Sequence, residues 1–187
     1  MARAPEVSRD SLDAAGQAAY DEIAGSRGKV EGGPFGILLN SPELARRAAH
    51  LGAFVRYEAP MPARQRHLIA LIASRGTECQ YEFSVHARLA REQGIPAEAV
   101  AALARGERPS TADLDGLELC VVDFARELAY DHTVSDATFQ VLLDHVGMEQ
   151  VCNIVGAIAY FTFVSFPINA FGMEVRAGHE PELPVRR

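Results

Sequence analysis

Residues 77–94, Thr-Glu-Cys-Gln-Tyr-Glu-Phe-Ser-Val-His-Ala-Arg-Leu-Ala-Arg-Glu-Gln-Gly, form the stretch of this sequence that decides the fold. Thr77 and Gln80 have the spacing of a capping box, in which two side chains bind backbone N–H groups that a helix start leaves unpaired. Gly94 stands where a helix would stop, since a proline follows two residues later. The stretch therefore predicts a helix over 78–93.

Three reactive side chains share one face of this predicted helix. Cys79, Glu82 and His86 are spaced i, i+3 and i+7, which stacks them along one stripe. Cys79 falls in the first turn, where backbone N–H groups and the helix dipole stabilise a thiolate, so we expect a lowered pKa. Glu82 precedes His86 by one turn, so its carboxylate can orient the imidazole or stabilise its protonated form. The stripe has the parts of a general acid–base unit.

The stripe also fits a purely structural interpretation. In that case the carboxylate and imidazole form a solvated pair, and the thiol is a small buried hydrophobic group. The same helix is apolar on several sides, because it carries Tyr81, Phe83, Val85 and Leu89. This pattern favours a functional stripe that is at least partly withdrawn from solvent.

The stripe resembles the motif of the carboxymuconolactone decarboxylase and alkylhydroperoxidase D (AhpD-like) superfamily, and the resemblance extends from about Gly32 to Asn169. The peroxidase branch carries Cys-x-x-Cys-x-x-x-His, with a relay glutamate on the preceding helix. Here Glu82 replaces the second cysteine, and His67 stands at the position of the relay glutamate. The decarboxylase branch carries Glu-x-x-x-His, which Glu82 and His86 match. The resemblance favours the branch that lacks the Cys-x-x-Cys pair.

The resemblance implies a helical fold assembled as a homo-oligomer, a trimer or a hexamer, often with sites at subunit contacts. It also implies a cofactor-independent lyase or isomerase acting on a small carboxylated or lactone-containing ring. In such an enzyme His86 would be the general acid/base, Glu82 would orient it, and His67 would be a second donor. Decarboxylation of a carboxymuconolactone is one instance of this chemistry.

Three further residues are candidates for substrate binding. Arg56, near a predicted helix end, has the forked guanidinium that suits a carboxylate, although such an arginine also pairs with neighbours such as Glu58. Phe35 lies in the glycine-rich segment 32–36, which predicts a loop that is either a plain linker or a rim over a pocket. Tyr81 is the third candidate.

Other functions stay open on the sequence alone. Cys79 suits thiol redox chemistry, but recycling an oxidised thiol needs a resolving thiol, and Cys120 or Cys152 would serve only if folding brought one close. The histidines, cysteine and glutamate of the site are suitable metal ligands, yet their spacing matches no established zinc signature, so no metal is expected. A non-catalytic helical oligomer that binds a ligand is a further alternative.

Length and composition limit the number of domains and the classes of partner that are expected. Its 187 residues, 48% of them hydrophobic, are enough for a single domain with a sizeable core. The net charge of −7, with interspersed signs, argues against nucleic acid as a partner and leaves a small-molecule substrate. The N-terminus lacks the apolar core of a signal peptide, and three cysteines fit a reduced cytoplasmic protein. Cys120 and Cys152, in apolar helical runs, are expected to be small buried residues.

The rest of the chain has helical spacing and no β-alternation of useful length, so the predicted fold class is all-α in one domain. Besides the helix that carries the stripe, the predicted helices are 11–24, 41–57, 62–74, 96–105, 113–130, 136–145 and 151–171. Asp113 or Asp115 starts the helix over 113–130, whereas Ser135 caps the helix over 136–145 and Gly147 ends it. We place the domain core at about 32–172 and an extended tail at 177–187. The two halves 43–105 and 113–171 suggest an internal duplication.

Residues 151–171 form the most apolar run of the chain, long enough to consider a membrane span. Polar residues and a proline interrupt the run at Asn153, Thr162, Ser165, Pro167 and Asn169. A helix that is apolar on all sides is otherwise a core or subunit-interface helix. We therefore predict no membrane partner and a helix buried at or beside a subunit interface.

Overall fold

The computed structural model describes residues 3–28, 30–31, 33–175 and 178–184. Within these residues it contains eight α-helices and no β-strand, which confirms the predicted all-α fold class. The helices are α1 (Ala14–Arg27), α2 (Pro34–Leu38), α3 (Pro42–Ala53), α4 (Ala63–Gly76), α5 (Gln80–Glu92), α6 (Ala97–Ala104), α7 (Gly116–Arg126) and α8 (Asp136–Phe171). Gly32 of the predicted loop, and residues 177 and 185–187 of the predicted tail, lie outside the described residues.

The chain divides into two compact units. The first comprises residues 1–59 and 167–174, and the second comprises residues 60–166 and 175–187. The long helix α8 contributes to both, and the division falls at Pro167, a proline inside that helix. The predicted bounds of one domain with a core at 32–172 remain a prediction.

In the first unit, α1 and α2 pack against α3. Helix α1 is shifted relative to the predicted range 11–24, because Asp13 caps it. The Asp13 carboxylate accepts a hydrogen bond from the Gly16 N–H at 2.8 Å. The helix ends before Gly28, whose φ of 78° is one that glycine adopts at low cost. The predicted helix exists, and its bounds follow the cap.

The glycine-rich segment of the first unit holds the short helix α2, so the prediction of a loop is wrong at these residues. Pro34 stands at the start of α2, where a fixed φ and a missing N–H suit a helix. Phe35, Ile37 and Leu38 are buried. Phe35 is therefore a core residue of a helical turn.

In the second unit, α4 packs against α5, α6 and α7. All residues from His67 to Ser74 are buried, because the run between them is apolar on every side of the helix. A helix that is apolar all round must be enclosed by other elements. The imidazole of His67 therefore lies inside the second unit.

An ion pair between Arg64 and Glu118 joins α4 to α7. The guanidinium donates two hydrogen bonds to the carboxylate, at 2.6 and 3.1 Å, and Glu118 is buried. Glu118 also completes a capping box with Asp115, which confirms a predicted start of this helix. One carboxylate thus fixes both the start of α7 and its position on α4.

Helix α8 consists of two helical pieces that meet at Gly147, where φ is 76° and ψ is 163°. The predicted end of a helix at Gly147 is confirmed, as is the cap by Ser135, whose hydroxyl accepts the Thr138 N–H at 3.3 Å. Helix α8 is long and apolar enough to cross a membrane, and half of its most apolar window is buried in the protein. Core helices pass the same length test.

The order of elements along the chain repeats. Helix α3, a π-helical turn at Phe54–Glu58, helix α4, a break and helix α5 make up the first series. Helix α7, a π-helical turn at Glu127–Asp131, and the two pieces of α8 on either side of Gly147 make up the second. This repeated order supports the predicted internal duplication.

Candidate functional site

The candidate site lies in the second unit and is built from α4, α5 and α8. His67 comes from the middle of α4, and Glu82 and His86 come from the first two turns of α5. Phe161 and Ser165 of α8 complete it. Each of these helices is fixed by burial of its own apolar face, so the polar groups are held on a rigid frame.

Helix α5 starts differently from the prediction. Thr77 does not cap it, because its hydroxyl donates back to the Ala73 carbonyl of α4 at 2.9 Å. The side-chain oxygen of Gln80 accepts the N–H of Leu183 at 3.0 Å, so the predicted capping box is wrong. The helix begins at Gln80 with Cys79 as its N-cap residue, after Glu78 adopts a left-handed φ of 53°.

His86 stands between two polar partners. Its Nε2 lies 3.4 Å from Oε2 of Glu82, and its Nδ1 lies 3.0 Å from Nδ1 of His67. All three residues are buried: His86 is 4% exposed to solvent, Glu82 is 7% exposed and His67 is 9% exposed. The structure thus brings the three together in a buried chain in the order Glu82, His86, His67.

Aromatic rings enclose the imidazole of His86. The ring of Phe161 meets it edge to face, with centroids 4.9 Å apart. Tyr160 packs on Phe161 in turn, at a centroid distance of 5.3 Å. This packing fixes the plane of the imidazole and keeps water away from it, which strengthens its interaction with the Glu82 carboxylate.

Cys79 is fully buried, and burial raises the pKa of its thiol to about 11. The Glu82 carboxylate raises that pKa further, whereas the N–H groups of Glu82 and Tyr81 and the Ser165 hydroxyl act in the opposite direction. The predicted lowering of the thiol pKa is therefore wrong. The helix start does supply groups that favour a thiolate, but the loss of solvent outweighs them.

We predict that Cys79 in the native protein reacts with iodoacetamide at pH 8 at least about 10²-fold more slowly than in the urea-unfolded chain, where the thiol pKa is about 8.5. The native rate should keep rising with pH toward about 11, because only the thiolate reacts and burial holds the thiol protonated. Mass spectrometry of the peptide that contains Cys79 measures both rates. Equal rates in the two states would contradict the raised pKa.

The predicted substrate-binding residues fall in both units. Tyr81 is buried on α5 in the second unit. Phe35 and Arg56 belong to the first unit, where the guanidinium of Arg56 lies 5.8 Å from the centroid of the Tyr57 ring. Their contact with a substrate stays a prediction.

Sequence reasoning missed the contribution of α8 to the site. Phe161 and Ser165 lie one helical turn apart, and the Ser165 hydroxyl donates to the Phe161 carbonyl at 2.8 Å. A hydroxyl inside an otherwise apolar run was the signal that could have pointed to Ser165. Nothing in the spacing of Phe161 distinguishes it from a core residue.

The other sulfur atoms and potential ligands add little to the site. Cys120 is half-buried and Cys152 is exposed, so the expectation of a buried Cys152 is wrong. Among the residues that the structure describes, no group of three or more histidine, cysteine or acidic side chains is placed to hold a metal ion.

Comparison with known proteins agrees with this description. The model of the carboxymuconolactone decarboxylase family matches residues 42–112, a segment that contains His67, Cys79, Glu82 and His86. No curated protein matches the chain significantly. The family match over this segment supports the superfamily resemblance seen in the sequence.

Three solved structures show the same fold. An uncharacterised peroxidase-related protein with an AhpD core from Ralstonia eutropha JMP134 is 20% identical, with a TM-score of 0.72 over 94% of this chain and 93% of that one. A cysteine-to-alanine variant of the debrominase Bmp8, in complex with 2,3,4-tribromopyrrole, is 17% identical, with a TM-score of 0.73 over 94% and 91%. A peroxidase-related protein from Silicibacter sp. TM1040 is 18% identical, with a TM-score of 0.67 over 92% and 90%.

Proposed function

We propose that this protein is a small-molecule enzyme, a cofactor-independent lyase or isomerase that moves a proton at carbon on a small carboxylated or lactone-containing ring. The observation that carries the proposal is the buried chain of Glu82, His86 and His67, in which a carboxylate and a second imidazole hold one central imidazole. The family match over 42–112 supports the same class of chemistry.

The geometry suits general acid–base catalysis. His86 is the acid/base of the proposed reaction, and Glu82 stabilises its protonated form across 3.4 Å in a site from which water is excluded. A positioned acid/base of this kind contributes about 10²–10⁴-fold to the rate of a proton transfer. In a decarboxylation the bond to the carboxylate breaks, carbon dioxide leaves, and the enolate that remains takes a proton at carbon from the imidazole.

Three residues are assigned to substrate binding. Tyr81 belongs to the second unit, whereas Arg56 and Phe35 belong to the first. Tyr81 would contact the substrate ring. Contact of Arg56 with the substrate carboxylate and of Phe35 with the ring stays a prediction. The substrate would be bound by a homo-oligomer, and neither nucleic acid nor a membrane is required for such a reaction.

The proposal is tested with a panel of small carboxylated lactones that includes carboxymuconolactone, incubated with the protein in D₂O. We expect at least one member to give a product that carries one deuterium at carbon, because the acid/base delivers a solvent-derived proton there. Mass spectrometry of the products measures the label. The matched control is His86→Gln, for which the label should not form above the rate of the buffer.

Thiol chemistry at Cys79 is the second candidate, because backbone N–H groups and the Ser165 hydroxyl surround the sulfur. A cysteine-to-alanine variant of a debrominase with the same fold was crystallised in complex with 2,3,4-tribromopyrrole, which is a property of that protein. Against this candidate stand the raised pKa of the Cys79 thiol and the carboxylate at Glu82, where the peroxidase motif has its second cysteine.

We predict no efficient turnover of hydroperoxide. Burial raises the pKa of the Cys79 thiol to about 11, so little of the reactive thiolate is present to attack a peroxide, and Glu82 stands where a resolving cysteine would be. Consumption of hydrogen peroxide and of cumene hydroperoxide in the presence of a dithiol reductant measures the activity, with Cys79→Ser as the control. Robust turnover that Cys79→Ser abolishes would replace the lyase proposal with a thiol peroxidase.

A further inference from the structure

A cleft of about 370 Å³ lies in the second unit, where the C-terminal ends of α4 and α6 meet the π-helical turn before α8. Four polar residues line it, Arg75, Arg105, Tyr130 and His132, together with two glycines and one alanine. Among the described residues that line the cleft, none carries a carboxylate and none belongs to the buried chain of the candidate site. The cleft is therefore a separate site with two guanidinium groups in its wall.

The hydroxyl of Tyr130 is buried, and within the described part of the chain it has no hydrogen-bond partner. The ring packs closely on the end of α4, since a Cβ added to Gly76 would lie 3.2 Å from it. Burial raises the pKa of this hydroxyl, so at neutral pH it keeps its proton and can donate. A buried hydroxyl without a protein partner is costly, and such a group in a native protein marks a place for a water, an ion or a ligand.

Two guanidinium groups, those of Arg126 and Arg75, lie close enough to Tyr130 to act on its hydroxyl electrostatically. The guanidinium of Arg126 lies 5.6 Å from the ring centroid, and its buried Nη1 has no hydrogen-bond partner among the described residues. Nε of Arg75 donates to the Ala104 carbonyl at 2.9 Å, whereas its Nη1 is 3.9 Å from Glu78, too far for a hydrogen bond. These donors would be satisfied by an anion that offers several acceptor oxygens.

Arg105 supplies the second guanidinium of the cleft wall. It pairs with Glu107 at 2.6 Å, and the two side chains are 53% and 56% exposed. An ion pair this exposed contributes little, so Arg105 can exchange the Glu107 carboxylate for a ligand oxygen at small cost. The exposed His132 adds a ring nitrogen to the same wall. Forked guanidinium groups are the side chains that suit carboxylate and phosphate groups best.

We propose that this cleft binds a small organic anion through its carboxylate or phosphate group, with Arg75, Arg105 and the Tyr130 hydroxyl as donors. Arg126 adds positive charge beside the hydroxyl. The cleft has the volume of a small-molecule site, so it accommodates an organic group as well as the anion itself. The inference does not depend on the proposed lyase activity, because the cleft and the buried chain have no residue in common.

Calorimetric titration of the protein with inorganic phosphate and, separately, with acetate tests the site. At low ionic strength we expect a dissociation constant below about 1 mM for at least one of them, and the tighter anion identifies the group that the cleft prefers. Arg75→Gln should weaken binding at least about tenfold, because it removes a charged donor. Arg88→Gln is the matched control, since Arg88 is an exposed arginine of the same unit that lies 3.5 Å from Glu92, and it should change the constant by less than about twofold. Failure of both anions to bind, or binding that Arg75→Gln leaves unchanged, would overturn the proposal.

Tyr130→Phe gives a second test, in which stability and binding move in different directions. Without an added anion the variant should be at least as stable as the wild type, because it removes a buried hydroxyl that has no protein partner. The anion that binds, at about 10 mM, should raise the Tm of the wild type by about 2–4 °C and that of the variant by less. Thermal unfolding followed by circular dichroism, with sodium chloride of equal ionic strength as the reference, measures both effects. Equal rises in the two proteins, or an equal rise with chloride, would show general screening and would overturn the site.

Discussion

His86→Gln is expected to lower kcat by about 10²–10⁴-fold on the substrate that the protein turns over, the range that a positioned acid/base contributes. Glutamine fills much of the same space and keeps a polar contact to Glu82, but it cannot act as an acid or a base at neutral pH. Glu82→Gln should cost less, since the imidazole remains and only the charge that orients it is lost. Initial rates at saturating substrate measure both effects.

The double variant decides whether Glu82 acts through His86. If it does, the double variant should be little slower than His86→Gln alone, because residues that work as a unit are not additive. Circular dichroism and urea unfolding of each variant check that the fold is retained, with His145→Gln as the histidine control. Full activity in a folded His86→Gln would reduce the buried chain to a packing feature, and additive losses would show that Glu82 does not act through His86.

The helices were predictable because each leaves a signal in its own sequence. The capping residues Asp115 and Ser135 and the breaks at Gly94 and Gly147 are local features, and the structure uses all four. Local chemistry also explains why the predicted capping box at the start of α5 is wrong. At the start of α5, Thr77 had two possible partners, the N–H groups of α5 and the carbonyls of α4, and sequence spacing alone does not choose between them.

The site was predictable where its geometry lies within one helix. Glu82 and His86 are one turn apart in any α-helix, so their contact follows from the spacing. The 3.0 Å contact with His67 depends on how α4 packs against α5, and only the family motif pointed to it before the structure.

The pKa of Cys79 shows why burial is harder to predict than position. The expected thiolate rested on the N–H groups of a helix start, and those groups are present beside the sulfur. Their effect is smaller than the cost of removing a charge from water when Cys79 is buried. Burial depends on how distant parts of the chain pack together, and no local pattern encodes it.

Val155→Asp is expected to convert a homo-oligomer into a monomer. The second piece of α8 presents one exposed apolar stripe, in which Met148, Val155 and Phe166 are 54%, 39% and 59% exposed. Cys152 and Ala159 lie on the same stripe and are also exposed. Such a face favours association, since contiguous apolar surface of this kind marks interaction sites in soluble proteins.

A carboxylate at the centre of that stripe would be buried without a partner in the assembly, which costs several kcal/mol and should weaken association by at least about 10³-fold. Ala101→Asp, at an exposed position of α6, is the matched control and should leave the oligomer intact. Light scattering at micromolar concentration measures the mass of each protein. A wild-type monomer, or partition of the wild type into membranes, would contradict the assignment of the stripe. Phe161 and Ser165 lie on the buried side of α8, so we expect dissociation to leave their contacts with His86 and Cys79 in place.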